Sequence, residues 1–187
     1  MTRDIWVISD THLNHSNILN FTDKNKNYVR PFGSVDEMNE RILTRWNERV
    51  KKGDIVYHLG DVAFGSKDSF KELWPKFNGS KRLVVGNHDD IKFLSNGSFF
   101  KKVSMWRMWP EYNLVFSHVP LHESQMQRYL SEERTRYLVN IHGHIHQNQS
   151  PTKRHLNVSC EAVNYYPQHI EDLALKAKGI LESGGKS

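Results

Sequence analysis

The sequence predicts a layered α/β fold whose functional face lies at the carboxyl ends of the strands, and two observations carry that expectation. Five short β-rich runs alternate with segments of helical apolar spacing, and each run stops at a small residue followed by a polar one. The runs are IWVIS before Asp10, IVYHLG before Asp61, RLVVG before Asn87, LVFS before His118 and LVNIHG before His144. Apolar at consecutive positions, they read as strands buried on both faces. Loops beyond strand carboxyl ends converge in open α/β sheets, so the polar residues delivered there are expected to meet.

The helices follow from spacing and caps. Ser34 and Glu37 form a capping box, and Val35, Met38, Ile42, Trp46 and Val50 recur on one face behind it. Ser66 to Phe77 carries Phe70, Leu73, Trp74 and Phe77, with Pro75 expected to end or kink the helix near Trp74. A third helix is expected over Glu123 to Leu130, and a last one over Ile170 to Leu181. Val103 to Met108 and Tyr112 to Phe116, joined through Trp109 and Pro110, read as a hairpin, which makes the sheet mixed. The tail ESGGKS, residues 182–187, reads as flexible.

A chain of 187 residues with 37% hydrophobic side chains suits a single domain spanning 1–187. One cysteine, Cys160, excludes an intramolecular disulfide, fits a reducing cytoplasm and reads as a small buried hydrophobe. No basic-then-apolar leader and no run near the roughly 20 apolar residues of a membrane span occurs. The formal charge of +5 favours anionic partners, phosphorylated small molecules first and nucleic acid as an alternative. FFKKVSMWRMWPEYN interleaves aromatic and basic residues, but its alternation reads as an amphipathic strand rather than a surface for single-stranded nucleic acid.

The strand ends supply Asp10 and His12 in SDTH, Asp61 in LGD, Asn87 and His88 in GNHD, His118 in FSH, and His144 with His146 in GHIH. Carboxylate and imidazole without thiolate suit Mn, Fe, Ni or Zn better than Mg or Ca. With His88 set aside, seven candidate ligands exceed the four or so that one tetrahedral ion takes, so two divalent ions are expected. In NIHGHIHQN, Gly143 releases the chain from strand geometry, which lets His144 and His146 face different ions. His142 stays in the strand as a packing or supporting residue. His58, His122, His155 and His169 read as surface or satisfied core histidines, and Asp68, Glu72, Glu123, Glu132, Glu133, Glu171 and Asp172 as solvated or helix-end charges.

The motifs DTH, GD, GNHD, the later lone His and GHIH, in order from Asp10 to His146, resemble the calcineurin-like metallophosphoesterase superfamily. SDTHLNHSNI, RPF, YHLGD and LNVS further resemble its small single-domain bacterial and phage-type branch. The resemblance implies an α/β/β/α sandwich with mixed sheets. It implies one ion on Asp10, His12, Asp61 and His146, and a second on Asp61, Asn87, His118 and His144, with Asp61 shared. It also implies in-line attack on phosphorus by a hydroxide between the ions, with His88 beside the scissile group as the catalytic residue and Mn as the favoured metal.

GDVAFG departs from the protein serine/threonine phosphatases, placing Phe64 and Gly65 where those carry Asp and Arg. That argues against a protein phosphatase and favours phosphodiester over phosphomonoester cleavage of a nucleotide-like substrate. Asp89 is a candidate replacement for the lost carboxylate, and His15 and Arg30 are candidate substrate contacts. A non-catalytic scaffold is disfavoured because the ligand set and His88 are complete. A metallo-β-lactamase-type hydrolase expects His-x-His-x-Asp-His, which neither DTHLNH nor HGHIHQ provides.

Overall fold

Each of the five apolar runs forms a strand in the computed structural model, which describes residues 3–96, 99–131 and 134–184. They are β1 (Ile5–Ile8), β2 (Ile55–His58), β3 (Ser80–Val84), β6 (Leu114–Ser117) and β9 (Val139–His142). The others are β4 (Lys102–Ser104), β5 (Trp106–Trp109), β7 (Gln127–Ser131), β8 (Arg134–Tyr137), β10 (His155–Asn157) and β11 (Gln168–His169). Two mixed sheets result. The first has order β11-β1-β2-β3-β4, parallel except for β11, and the second β10-β9-β6-β5, parallel except for β5.

Consecutive apolar residues are needed because each central strand serves two cores. Ile8, Val56 and Leu83 face a helical layer, packing with Met38, Ile42, Trp46, Phe70 and Trp74. Their neighbours Val7, Tyr57 and Val84 face the second sheet, packing with Leu114, Phe116, Val139 and Ile141.

The helical layer is α1 (Val35–Arg49), α2 (Lys67–Leu73) and the short α3 (Ile91–Asn96). Ser34 caps α1 by accepting from the Glu37 backbone N–H at 3.1 Å, and Glu37 in turn accepts from the Gly33 N–H at 2.8 Å. The proline acts as expected, converting the chain after Leu73 into a 3-10 turn, Trp74–Lys76. The closing helix α4 (Ile170–Glu182) feeds Ile170, Leu173 and Ala177 into the core between the sheets. Among the described residues no helix is long and apolar enough to cross a membrane.

Two expectations need correction. Glu123 to Leu130 is not a helix: a 3-10 turn, Glu123–Gln125, leads into β7, which pairs antiparallel with β8. A partner strand a few residues further along captures backbone groups that a weakly helical segment holds only loosely. Residues 103–108 are not one strand either. The chain changes sheets at Met105, with β4 parallel to β3 in the first sheet and β5 antiparallel to β6 in the second. The expected hairpin is thus β5 with β6, from Trp106 opposite Ser117 to Trp109 opposite Leu114. Glu132, Glu133 and residues 185–187 of the tail lie outside the described residues.

Candidate metal centre

The site straddles the sandwich. Asp10 and His12 follow β1, Asp61 follows β2, and Asn87 and His88 follow β3, all in the first sheet; His118 follows β6, and His144 and His146 follow β9, in the second. Backbone bonds continue the β1–β2 pairing past the strand ends, from Asp10 N–H to the Gly60 carbonyl and from His12 N–H to the Asp61 carbonyl, each at 3.0 Å. The two sheets are clasped where the His144 N–H donates to the Asp10 carboxylate, 3.0 Å from Oδ2.

Backbone strain concentrates on the same residues. Asp10, His12, Asp61, His144 and His146 have φ of 58°, 47°, 55°, 70° and 51°, in the left-handed region that costs side-chain-bearing residues free energy. Gly143 is not among them. A Cβ there would collide with the Ser9 and Asp10 side chains, so this glycine serves close approach between the sheets and not, as its sequence position suggests, release of the chain from strand geometry.

The candidate ligands form two triads, Asp10–His12–His146 and Asp61–His118–His144, within each of which one ligand atom per residue lies within 4.8 Å of the others. Asp61 faces both: its Oδ2 is 3.6 Å from His12 Nε2 and 3.4 Å from His118 Nε2. Asn87 joins the second triad, with Oδ1 2.8 Å from His118 Nε2 and 3.0 Å from His144 Nδ1.

These residues fit divalent cations on three counts. Asp10 and Asp61 are 0% and 2% exposed, and buried carboxylates require compensating positive charge. His12 Nε2 is buried with no hydrogen-bond partner and faces both carboxylates. His118 donates Nδ1–H to the Leu59 carbonyl at 2.7 Å and His146 donates Nδ1–H to Glu161 at 2.9 Å, so in the neutral rings Nε2 carries the lone pair that would ligate.

Electrostatics agree. Burial would raise the Asp10 pKa, but His12, His118 and His146 hold it well below the carboxylate range. Burial likewise works against ionised Asp61 and is outweighed by His118 and the His88 N–H. For His118, burial lowers the pKa and the two aspartates more than restore it. This is a field that attracts positive charge.

Arg30 does not face a substrate. Its side chain is 0% exposed; Nε donates to Glu161 at 2.7 Å, and the two NH groups donate to the backbone carbonyls of Thr11 and Asp10. The guanidinium pins the DTH turn from behind because those carbonyls, turned inward by the left-handed residues, have to be satisfied. Asp89 does not orient the His88 ring either. Its carboxylate accepts from the N–H groups of Asp61, Val62 and Gly86 at 3.1, 2.9 and 2.8 Å, tying the GD and GNHD loops together. His15 sits over the first triad, Nδ1 3.3 Å from His12 Nδ1, its ring stacked on Phe64 at 4.0 Å between centroids. His142 is fully buried, bonded to the Gly143 carbonyl and Ser150. His88 is exposed, 6.4 Å from the His12 ring and 5.3 Å from Phe64 between centroids.

One participant, Glu161, carries no signal in the motifs, and His58 takes a larger part than a core histidine need. Glu161 links His146 to Arg30, and the strand-end pattern that flagged the other motifs repeats in LNVSCE just ahead of it. His58 accepts from the Gly60 N–H through Nδ1 and meets Thr11 Oγ1 at 2.9 Å through Nε2. Thr11 donates its hydroxyl to the Val62 carbonyl, so His58 is the donor to Thr11 and is neutral. It is the satisfied core histidine expected of it, and it holds the two aspartate loops in register.

Buried carboxylates and converging imidazoles in two adjoining triads, at the strand ends of a two-sheet α/β sandwich, define a metal-dependent phosphoesterase. The calcineurin-like phosphoesterase family model matches residues 3–177, and the chain belongs to that family. It is 33% identical to an uncharacterized protein of Methanocaldococcus jannaschii over 97% of this chain and 93% of that one. It is 29% identical to the gene 66 protein of mycobacteriophage L5 over 61% of this chain and half of that protein. A crystal structure of a protein of unknown function from Aquifex aeolicus superposes with a TM-score of 0.69 at 27% identity, covering 92% of this chain and 98% of that one.

Proposed function

We propose that the chain is a binuclear phosphodiesterase that hydrolyses a small nucleotide-like ester by direct in-line displacement, with Mn as the favoured metal and the cytoplasm as its location. The observation that carries this reading is Asp61 Oδ2 standing between His12 and His118, one carboxylate oxygen addressed to both triads. Two divalent ions, one on Asp10, His12, Asp61 and His146 and one on Asp61, Asn87, His118 and His144, would supply Lewis acidity toward phosphoryl oxygens and a water acidic enough to ionise near neutral pH.

The chain's own residues do the rest. Leu59 and Glu161 fix the tautomers of His118 and His146, Asp89 and Arg30 lock the loops, and His88, exposed beside them, protonates the departing oxygen. His15, resting on Phe64 at the open side, flanks the substrate. Diester cleavage is favoured because a monoester dianion asks for an extra cation. Arg30 is spent on backbone carbonyls, and Phe64 lies against His15 and His12.

Side-by-side assays with Mn on bis(p-nitrophenyl) phosphate and p-nitrophenyl phosphate test this, with Asp61→Asn as the inactive control. The diester is expected to be the better substrate. Activity confined to the monoester would make the chain a phosphomonoesterase, and an equally active control would place the chemistry elsewhere.

A further inference from the structure

Beside His88, and outside both triads, the surface opens into a cavity of about 200 Å³. Its walls are aromatic and aliphatic: Phe64 and Phe93 are half-buried, while Phe70 and Leu94 are fully buried behind them. Lys67 and Asp90 stand at its rim, ion-paired at 2.6 Å and both well exposed, with the Lys67 ammonium 4.9 Å from the Phe93 ring centroid. The volume is below the roughly 300–1,000 Å³ of a site that engulfs a whole drug-sized ligand, so it suits one ring system.

The cavity is not a gap in the metal centre, since it contributes no candidate ligand. Nor is it closed over as ordinary core. It lines up with the reactive side of the site: Phe64 forms one wall and lies 5.1 Å from the His12 ring and 5.3 Å from the His88 ring, and His88 itself is part of the lining. An apolar slot reached past the residue placed to protonate the departing oxygen is a slot for what that oxygen carries. Aromatic walls prefer a flat ring offered face or edge on, and the ammonium and carboxylate at the rim offer a donor and an acceptor to its edge.

We propose that this cavity binds a planar aromatic group carried by the leaving alcohol of the substrate, a nucleobase in a nucleotide ester or an aryl ring in a simpler one. The inference rests on the phosphodiesterase reading above and adds to it which side of the scissile bond is selected and by what. It also assigns a purpose to Phe64, which occupies the position where the protein phosphatases carry a charged residue: it is the shared wall between metal centre and ring slot.

The test uses the Mn-loaded protein with two readouts. The first is kcat/KM for a nucleoside 2′,3′-cyclic phosphate against the same cyclic phosphate on a ribose ring lacking the base. The second is calorimetric binding of a nucleoside monophosphate, phenyl phosphate and ribose 5-phosphate. The ring-bearing member is expected to lead by at least about tenfold in each readout, as stacking of one base on aromatic side chains implies. Ala63 also lines the cavity, so Ala63→Leu, which fills the slot, and Phe93→Ala, which removes a wall, should each shrink that ratio toward one. Phenyl phosphate matching the nucleotide identifies a site that reads the plane alone; a nucleotide lead over phenyl phosphate identifies the base as the group read. Equal values with and without the ring, or ratios unmoved in both variants, overturn the proposal. Absence of hydrolysis for both cyclic esters and for bis(p-nitrophenyl) phosphate would sink the phosphodiesterase reading alone, and the binding ratio would then decide the cavity.

Discussion

His88 and Glu161 bear on different candidate ligands, His88 on Asp61 and Glu161 on His146, and the two contacts call for different tests. His88 donates its backbone N–H to Asp61 Oδ1 at 3.0 Å, while its exposed ring lies on the open side beside Phe64. His88→Ala therefore keeps that bond and both metals but should lose at least about a hundredfold in turnover, the scale of general acid catalysis, measured as kcat alongside metal content by elemental analysis. Wild-type turnover in the metal-replete variant would remove His88 from the reaction. Glu161 is buried behind His146, where burial opposes its charge and Arg30 and His146 sustain it. Glu161→Gln leaves Arg30 without a counter-charge and weakens the hold on His146. Affinity for one of the two ions should drop about 10–100-fold in a competitive Mn titration, with the other less affected.

Among the elements, the junction after β9 carries the tightest constraint. Gly143 donates its N–H to the His118 carbonyl at 2.9 Å while its α-carbon lies against Ser9 and Asp10 of the other sheet. Gly143→Ala forces the sheets apart at the point where Asp10 accepts from His144. We expect a loss of about 1–3 kcal/mol or more in urea unfolding, the cost of overpacking a filled site, together with depletion of bound metal. Retention of full metal occupancy would show that the clasp is dispensable. α1 offers a contrasting case, since Trp46 is fully buried among Trp74 and Phe77 and far from any candidate ligand in sequence. Trp46→Ala should cost about 3–5 kcal/mol of stability, read from the same unfolding curves, by leaving a cavity in the helical layer.

For the molecule as a whole, the buried neutral histidines set how folding responds to acid. Burial pushes His58 down from 6.5 to about 3 and His142 to about 4. A base whose pKa is depressed by folding contributes its full stability above its unfolded value and loses it as the pH falls toward the folded one. His118 and His146 are shifted the opposite way, so the His58 share is read as a difference. In metal-free protein between pH 6.5 and 4, unfolding free energy should fall less steeply for His58→Gln than for wild type, by up to about 1.4 kcal/mol per pH unit. Identical slopes would mean that His58 is not kept neutral by the fold. The strands, α1, the end of α2 at Pro75 and the convergence of Asp10, His12, Asp61, Asn87, His118, His144 and His146 were legible in the sequence, because burial on both faces, capping and strand-end placement are local patterns that survive in one dimension. The division of residues 103–108 between two sheets, the β7–β8 pairing, the burial of Arg30 behind the DTH turn, the use of Asp89 on backbone and the arrival of Glu161 at His146 were settled only by tertiary structure. Each depends on which backbone groups a distant segment leaves unsatisfied, and that demand exists only once the two sheets have met.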